Sequence, residues 1–320
     1  MSSLTRSEAA QWLRGHDDFL ILTHRRPDGD TIGSAAALCR GLRLLGKNAH
    51  VLRNMEVTEK YSHLHAGLTQ DCPRQGDTLI CVDVAADKLL PEAVAHLARF
   101  IKLRIDHHGT DCPFTPLELV DARAGACGEI IYDLLELLGV KPDKLTAEAL
   151  YTAISTDTGC FRYANTTAHT FRVAAACAEA GGDLHTINQS IFDTNSFRKL
   201  RLHGWMTENI RFFHGGQLAV CALPLEVERQ LELTEDDLEN VSGFPRSIEG
   251  VHMAATLRQT PEGRVKVSVR ALPGLDAAAV CAKFGGGGHK GAAGATLDMT
   301  LEQAAAAVGL EMEAQMAVKQ

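Results

Sequence analysis

Residues 23–34 read THRRPDGDTIGS and follow directly on the apolar run FLIL at 19–22. Four consecutive apolar residues that end in Pro, Asp and Gly read as a strand buried on both faces, and Asp before Thr-Ile-Gly-Ser suits the start of a helix. A strand, a charged turn and a helix in that order form the opening unit of an open α/β sheet. In such sheets ligands gather beyond the carboxyl ends of the strands. The charge therefore stands where a binding crevice is expected.

Working outward, the candidate strands are FLILTH (19–24), AHVLRN (49–54), TLICVDV (78–84) and KLRIDHH (102–108). Helical periodicity runs through 31–46, 126–139, 146–156 and 169–182. Their alternation predicts a doubly wound, mostly parallel sheet over residues 1–190. The polar helical stretch 191–215 reads as a linker helix. Residues 216–320 then predict a smaller α/β domain. Its strands are QLAVCAL (217–223), VHMAATLRQ (251–259) and RVKVSVRA (264–271), with helices starting at Thr234, over 275–284 and over 301–320.

The totals agree with two domains. A chain of 320 residues exceeds one average core, and 45% hydrophobic with 22% charged residues is ordinary for a globular protein. The start lacks a signal-peptide pattern and no apolar run nears the roughly 20 residues of a membrane span, so a cytoplasmic protein without membrane contact is expected. Nine cysteines without a CxxC pattern predict buried, reduced thiols. A net charge of −8 argues against gripping long duplex nucleic acid and leaves room for a small anionic ligand in a locally basic pocket.

At the strand and helix ends stand His24, Asp28 and Asp30; then Asp83; then Asp106, His107 and His108; then Asp157 in STDTG. Taken singly, Asp28 and Asp30 also suit a turn and an N-cap, His24 a satisfied core histidine, Asp83 a strand-end cap, the histidine pair a solvated surface and Asp157 a helix end. Those readings would have to hold at every one of these ends together. Carboxylates crowded on one rim repel unless neutralised, and with imidazoles they form the mixed oxygen and nitrogen set that divalent cations accept. The set is too large for one tetrahedral ion and suits two ions sharing a carboxylate, roughly 3.5–4 Å apart.

Taken in order, H-R-R-P-D-G-D-T-I-G-S, the aspartate of CVDVA, D-H-H and S-T-D-T-G closely resemble the motifs of the DHH superfamily of phosphoesterases. Downstream, FGGGGHKGAAG (284–294) resembles the G-G-G-H-x-x-A-A-G signature of the DHH-associated C-terminal domain. Gly286, Gly288 and Gly291 also satisfy G-x-G-x-x-G, but a helical pattern precedes them where a dinucleotide fold needs a strand. The combination looks like the bacterial nano-RNase and pAp-phosphatase branch, over nearly the whole chain.

That resemblance implies a hydrolase with its active site in a cleft between two domains. One cation would take His24, Asp28 and Asp83; the other would take Asp30, Asp83, His107 and Asp157. Asp106 would hold an imidazole in the right tautomer, and His108 would face the phosphate. Mn²⁺ is the family's usual ion, while Mg²⁺, Co²⁺ or Fe²⁺ also accept such ligands. Arg270, Gly286, Gly287, Gly288 and His289 would hold the far phosphate or base, and Arg25 would steer phosphate. The family's S-x-R-S reads SVRA here, so Ala271 stands where a hydroxyl contact is expected. The implied substrates are short single-stranded RNA, linear dinucleotides such as pApA and pGpG, and 3′-phosphoadenosine 5′-phosphate (pAp), acted on by a monomer or homodimer. A manganese pyrophosphatase and a non-catalytic nucleotide sensor are the rival readings.

Overall fold

A computed structural model of the chain describes residues 2–109 and 112–317. They divide into two compact units, with the boundary between Thr194 and Asn195.

In the first unit the elements run β1 (Ser2–Ser3), α1 (Arg6–Gly15), β2 (Phe19–Leu22), α2 (Gly29–Leu44), β3 (Ala49–Leu52), β4 (Thr69–Gln70), β5 (Thr78–Val82), β6 (Leu103–Asp106), β7 (Leu117–Val120), α3 (Cys127–Leu138), α4 (Lys144–Asp157) and α5 (Ala168–Glu179). The strands form one parallel sheet in the order β1-β7-β6-β5-β2-β3-β4. The run FLIL is apolar throughout because β2 is covered on both faces. Phe19 and Ile21 enter the core under the α-helices, whereas Leu20 and Leu22 pack with Leu79, Cys81, Leu97 and Ile101 on the other face. That second face is covered by the 3-10 stretch Glu92–Phe100.

From β2 the chain moves outward to β3 and β4, and from β5 it moves the other way to β6 and β7. The neighbours β2 and β5 therefore flank the point where strand order reverses, the place where a parallel sheet opens a crevice at its carboxyl edge. Two glycines set the depth of the packing beside it. A Cβ on Gly29 would lie 2.4 Å from Thr156 Cγ2, and one on Gly33 would lie 2.4 Å from the Ala149 carbonyl oxygen. Glycine at both positions lets the start of α2 press against α4, so the ends of the two helices meet.

The second unit contains α6 (Phe197–Asn209), β8 (Arg211–Phe213), β9 (Leu218–Leu223), β10 (Met253–Gln259), β11 (Val265–Ala271), α7 (Ala277–Ala282), β12 (Gly287–His289), β13 (Ala292–Leu297) and α8 (Leu301–Ala317). Its sheet order is β12-β13-β11-β10-β9-β8, with only β9 and β10 parallel among the described pairs. α6 packs within this unit: Leu202 and Met206 share a core cluster with Cys221 and Leu223, and Arg198 Nε lies 2.9 Å from the buried Asp237 carboxylate. The sequence FGGGGHKGAAG forms a hairpin in which β12 pairs with β13. All nine cysteines are free thiols; six are buried as expected, while Cys72 and Cys112 are exposed. No described helix is long and apolar enough to cross a membrane.

Candidate metal centre

The carboxyl ends of β2, β5 and β6 and the last residue of α4 deliver eight polar side chains to one place. Three overlapping groups have ligand atoms within 4.8 Å of one another: His24 with Asp28 and Asp83, Asp30 with His107 and Asp157, and Asp83 with His107 and His108.

Asp28 is the N-cap of α2; its Oδ1 accepts from the Thr31 amide at 3.1 Å, and the residue stands at the open side of the cluster. Two residues on, Asp30 is buried and takes three donors. The Cys127 and Gly128 amides, at the start of α3, reach it at 2.7 and 3.0 Å, and the Ser34 hydroxyl reaches it at 2.9 Å. The N-terminus of α3 thus stabilises this carboxylate while leaving Oδ2 facing His107 Nε2 at 3.6 Å. Asp83 follows β5 with φ 56, a left-handed conformation uncommon outside glycine, and its amide still pairs with the Ile105 carbonyl. That single residue turns the chain at the strand end and aims the carboxylate back across the crevice. Asp157 closes α4, where Asn165 Nδ2 donates to its carbonyl at 3.1 Å and its Oδ2 at 3.3 Å.

The imidazoles are oriented from behind. His24 Nδ1 lies 2.7 Å from the Arg25 carbonyl, so a proton sits there and Nε2 faces Asp83 Oδ2 at 3.7 Å. His107 Nε2 stands 3.6 Å from Asp83 Oδ1 and 3.7 Å from Asp157 Oδ2. His108 Nδ1 is bonded to Asp106 Oδ1 at 2.8 Å. Asp106 is itself fully buried, with Arg104 Nη1 4.0 Å from its Oδ2 and Glu118 on the far side of that guanidinium at 3.0 Å.

Separations of 3.5–3.7 Å exceed a hydrogen bond, yet they approach the roughly 3.0–3.5 Å between two ligands that share a cation at about 2.1 Å. Asp83 Oδ1 is buried with no hydrogen-bond partner. The protons follow the same demand for positive charge. Burial alone would lower His24, but the facing Asp83 carboxylate and the charge of Asp28 push it up to about 9. Burial also opposes protonation of His108, and the bond to Asp106 with the nearby carboxylates raises it to about 9. Burial, reinforced by Asp28 and Asp83, lifts Asp157 to about 6, while burial and the Asp83 and Asp157 charges raise Asp30 well above the usual range. Asp83 goes the other way: burial would raise it, but His24, His107 and His108 hold it down. The donor set fits divalent cations.

Every ligand-type residue expected in the first unit is in this cluster. Arg25 is exposed, anchored by its amide to the Leu89 carbonyl at 2.7 Å. In the second unit, Arg270 pairs with Ala292, and Ala292 with His289. Paired residues share a face, so Arg270 and His289 stand on one side of the sheet two strands apart, about 10 Å. Gly286 and Gly288 are required by the hairpin, since a Cβ would meet the Gly294 carbonyl at 2.2 Å or the Ala292 carbonyl at 2.6 Å; Gly287 is open. Ala271 lies on the opposite, core side with Val265, Val267 and Val269, so a hydroxyl there would not join the Arg270 face.

Sequence reading missed the supporting residues Thr31, Ser34, Arg104 and Asn165. Thr31 and Ser34 lie inside the opening stretch, three and four residues after Asp28 and Asp30, a spacing that a helix start places beside them. Arg104 alternates with Asp106 on a strand and was legible as a buried charge. Asn165 carries no local signal.

Comparison with protein families matches residues 18–154 to the DHH family, N-terminal domain, and residues 215–314 to the DHHA1 domain. The bifunctional oligoribonuclease and PAP phosphatase NrnA of Thermus thermophilus is 37% identical over 293 residues, covering 89% of this chain and 86% of that protein. A probable protein of the same name from Streptococcus mutans is 25% identical, covering 88% and 90%. Among solved structures, an exopolyphosphatase-related protein from Bacteroides fragilis superimposes with a TM-score of 0.85 at 24% identity, over 98% of this chain and 97% of that one. On these matches the chain belongs to the DHH family of phosphoesterases and carries a DHHA1 domain in its second half.

Proposed function

We propose that this chain hydrolyses short oligoribonucleotides and linear dinucleotides to mononucleotides, and pAp to AMP, with two divalent cations, Mn²⁺ by preference. The observation that carries the reading is the pair of ligand groups, His24 with Asp28 and Asp83, and Asp30 with His107 and Asp157, standing on either side of the buried Asp83. Relatives named oligoribonuclease and PAP phosphatase support the substrate class.

Bound cations would supply an activated water and Lewis acidity at the phosphoryl group. The chain's own residues do the rest. Asp83 would hold both ions, since its two oxygens face different imidazoles, Oδ2 toward His24 and Oδ1 toward His107. Asp106 holds the Nδ1 proton of His108, leaving Nε2–H to donate to the phosphoryl oxygens or to the leaving oxygen. Arg270 and His289 offer cationic and hydrogen-bonding groups for a second phosphate or a base, which favours short substrates carrying more than one phosphate. Arg25 steers the anion.

The test is hydrolysis of pApA, pGpG and pAp with Mn²⁺ by the wild-type, Asp83→Ala and His107→Ala proteins, followed by chromatography. Activity on these nucleotides that falls by orders of magnitude in both variants is expected. Undiminished hydrolysis, or release of phosphate from pyrophosphate in preference to nucleotides, overturns the reading.

A further inference from the structure

Thr31 is fully buried at the third position of α2. In α4, Thr152 and Thr156 donate back to the preceding turn, to the Glu148 carbonyl at 2.9 Å and the Thr152 carbonyl at 2.8 Å, and the buried Thr146, at the same third position after an aspartate N-cap, donates to that Asp143 carboxylate at 2.6 Å. Thr31 reaches further. Its hydroxyl crosses to the turn that ends β5 and donates to Asp83 Oδ2 at 2.5 Å, in the short range of bonds from a hydroxyl to an ionised acceptor. The same oxygen is 3.3 Å from Asp28 Oδ1, whose N-cap bond comes from the Thr31 amide. One residue therefore touches both carboxylates of the His24, Asp28 and Asp83 group and neither carboxylate of the Asp30, His107 and Asp157 group. Ser34, one turn on, bonds Asp30 instead.

We propose that Thr31 is a positioning residue specific to one of the two cation sites: its hydroxyl fixes the plane of the Asp83 carboxylate beside Asp28, setting affinity at the His24 side. The inference rests on the two-ion reading above. A carboxylate oxygen that accepts one hydrogen bond keeps a second lone pair, so Oδ2 can take Thr31 and still face the ion. Without the hydroxyl, Oδ2 loses the partner that fixes it beside Asp28, while Oδ1 keeps its place opposite His107.

The experiment is Mn²⁺ titration of the full chain, read by the electron paramagnetic resonance signal of free Mn²⁺, with wild type, Thr31→Val, Thr31→Ser and Ser34→Ala. Wild type is expected to hold two ions. Thr31→Val should weaken one of them by about 10- to 100-fold, as removal of a ligand's hydrogen-bond partner does. The other ion should be unchanged, and Thr31→Ser should restore both. In a His24→Ala background Thr31→Val should change the remaining ion little, whereas Ser34→Ala should still weaken it. In turnover, Thr31→Val should raise the Mn²⁺ needed for half-maximal rate while leaving the KM for pAp unchanged. If circular dichroism shows Thr31→Val unfolded, Thr31→Ala replaces it. Fewer than two ions on the wild type overturns the two-ion reading and this assignment with it. Two ions on the wild type, with unchanged affinities in Thr31→Val, equal weakening of both, or no rescue by serine, overturns the role of Thr31 alone.

Discussion

The Asp106 carboxylate receives the Nδ1–H of His108 at 2.8 Å, and the same Oδ1 takes the backbone amides of His107 at 2.7 Å and His108 at 3.1 Å. One oxygen thus folds the D-H-H turn and chooses the tautomer of its last histidine. Asp106→Asn keeps the shape but offers a neutral acceptor, so the imidazole loses the charge that favours its protonated form. In nucleotide hydrolysis the expected outcome is a fall in kcat of about 10²-fold, the size of a lost general acid, with KM little changed. His108→Ala should give a similar loss, and the double variant should lose little more. A KM effect larger than the kcat effect would contradict this role.

The fold was legible in FLIL and TLICV because those strands are apolar on both faces, and the bounds of the candidate strands agree within two residues at each end. β1, β4, β7 and β8 escaped: edge strands of two or three residues carry no period, β8 lying within the stretch 191–215 expected as a linker helix, and LELV alternates with a glutamate that Arg104 binds inside the protein. The candidate ligands were legible because each stands at the end or the start of an element, where charge contrasts with the apolar run beside it. Thr31, Ser34 and Asn165 were not, since a hydroxyl or amide acquires meaning only from its partner, here up to 52 positions away. The pairing of the glycine run with β13 was not legible either, since it depends on Gly286 and Gly288 admitting neighbouring backbone that side chains would exclude.

Without metal, the protons on this cluster do part of the work of the cations, and stability should depend on pH accordingly. His24 and His108 rise from 6.5 to about 9, so the stability they add is complete below 6.5 and is lost as pH climbs through about 9. Asp157, raised from 3.8 to about 6, weakens the fold as it ionises across that interval, in the same direction. The thermal midpoint of chelator-treated protein should therefore fall by several degrees between pH 6 and 9, at about 2–4 °C per kcal/mol for larger domains. Saturating Mn²⁺ should raise the midpoint at every pH and by more at pH 9, since it no longer competes with protons. A chelated midpoint that is flat or rises over this range, or a Mn²⁺ gain that shrinks, would contradict the electrostatic account.

Gly33 and Gly204 both lie inside helices and should respond to alanine in opposite ways. At Gly33 the added Cβ would stand 2.4 Å from the Ala149 carbonyl and 2.9 Å from the Ala153 amide nitrogen, both backbone atoms that cannot swing aside. Gly33→Ala should destabilise by about 1–3 kcal/mol and, by parting α2 from α4, weaken Mn²⁺ binding as well. At Gly204 nothing lies within 4 Å, and Gly204→Ala should stabilise by up to about 1 kcal/mol through helix propensity. Urea unfolding of the two variants measures both, and the same sign for the two would show that the close approach of α2 and α4 does not set the depth of the site.

The alternation of β11 separates two adjacent positions that the sequence motif treats together. Arg270 faces away from the core, on the row shared with Ala292 and His289, whereas Ala271 faces inward with the valines. If the outward face holds a second phosphate, Arg270→Ala removes a charged anchor that only a substrate with that phosphate uses. KM for pApA should then rise about tenfold or more, the loss of one charge-assisted contact, while hydrolysis of a simple aryl phosphoester changes little. Ala271→Ser adds a hydroxyl on the core side, so it should leave both substrates' kinetics unaltered and lower stability slightly. Equal effects of Arg270→Ala on the two substrates would remove this face from substrate binding, and a tighter KM in Ala271→Ser would mean that the strand presents residue 271, not 270, to the nucleotide.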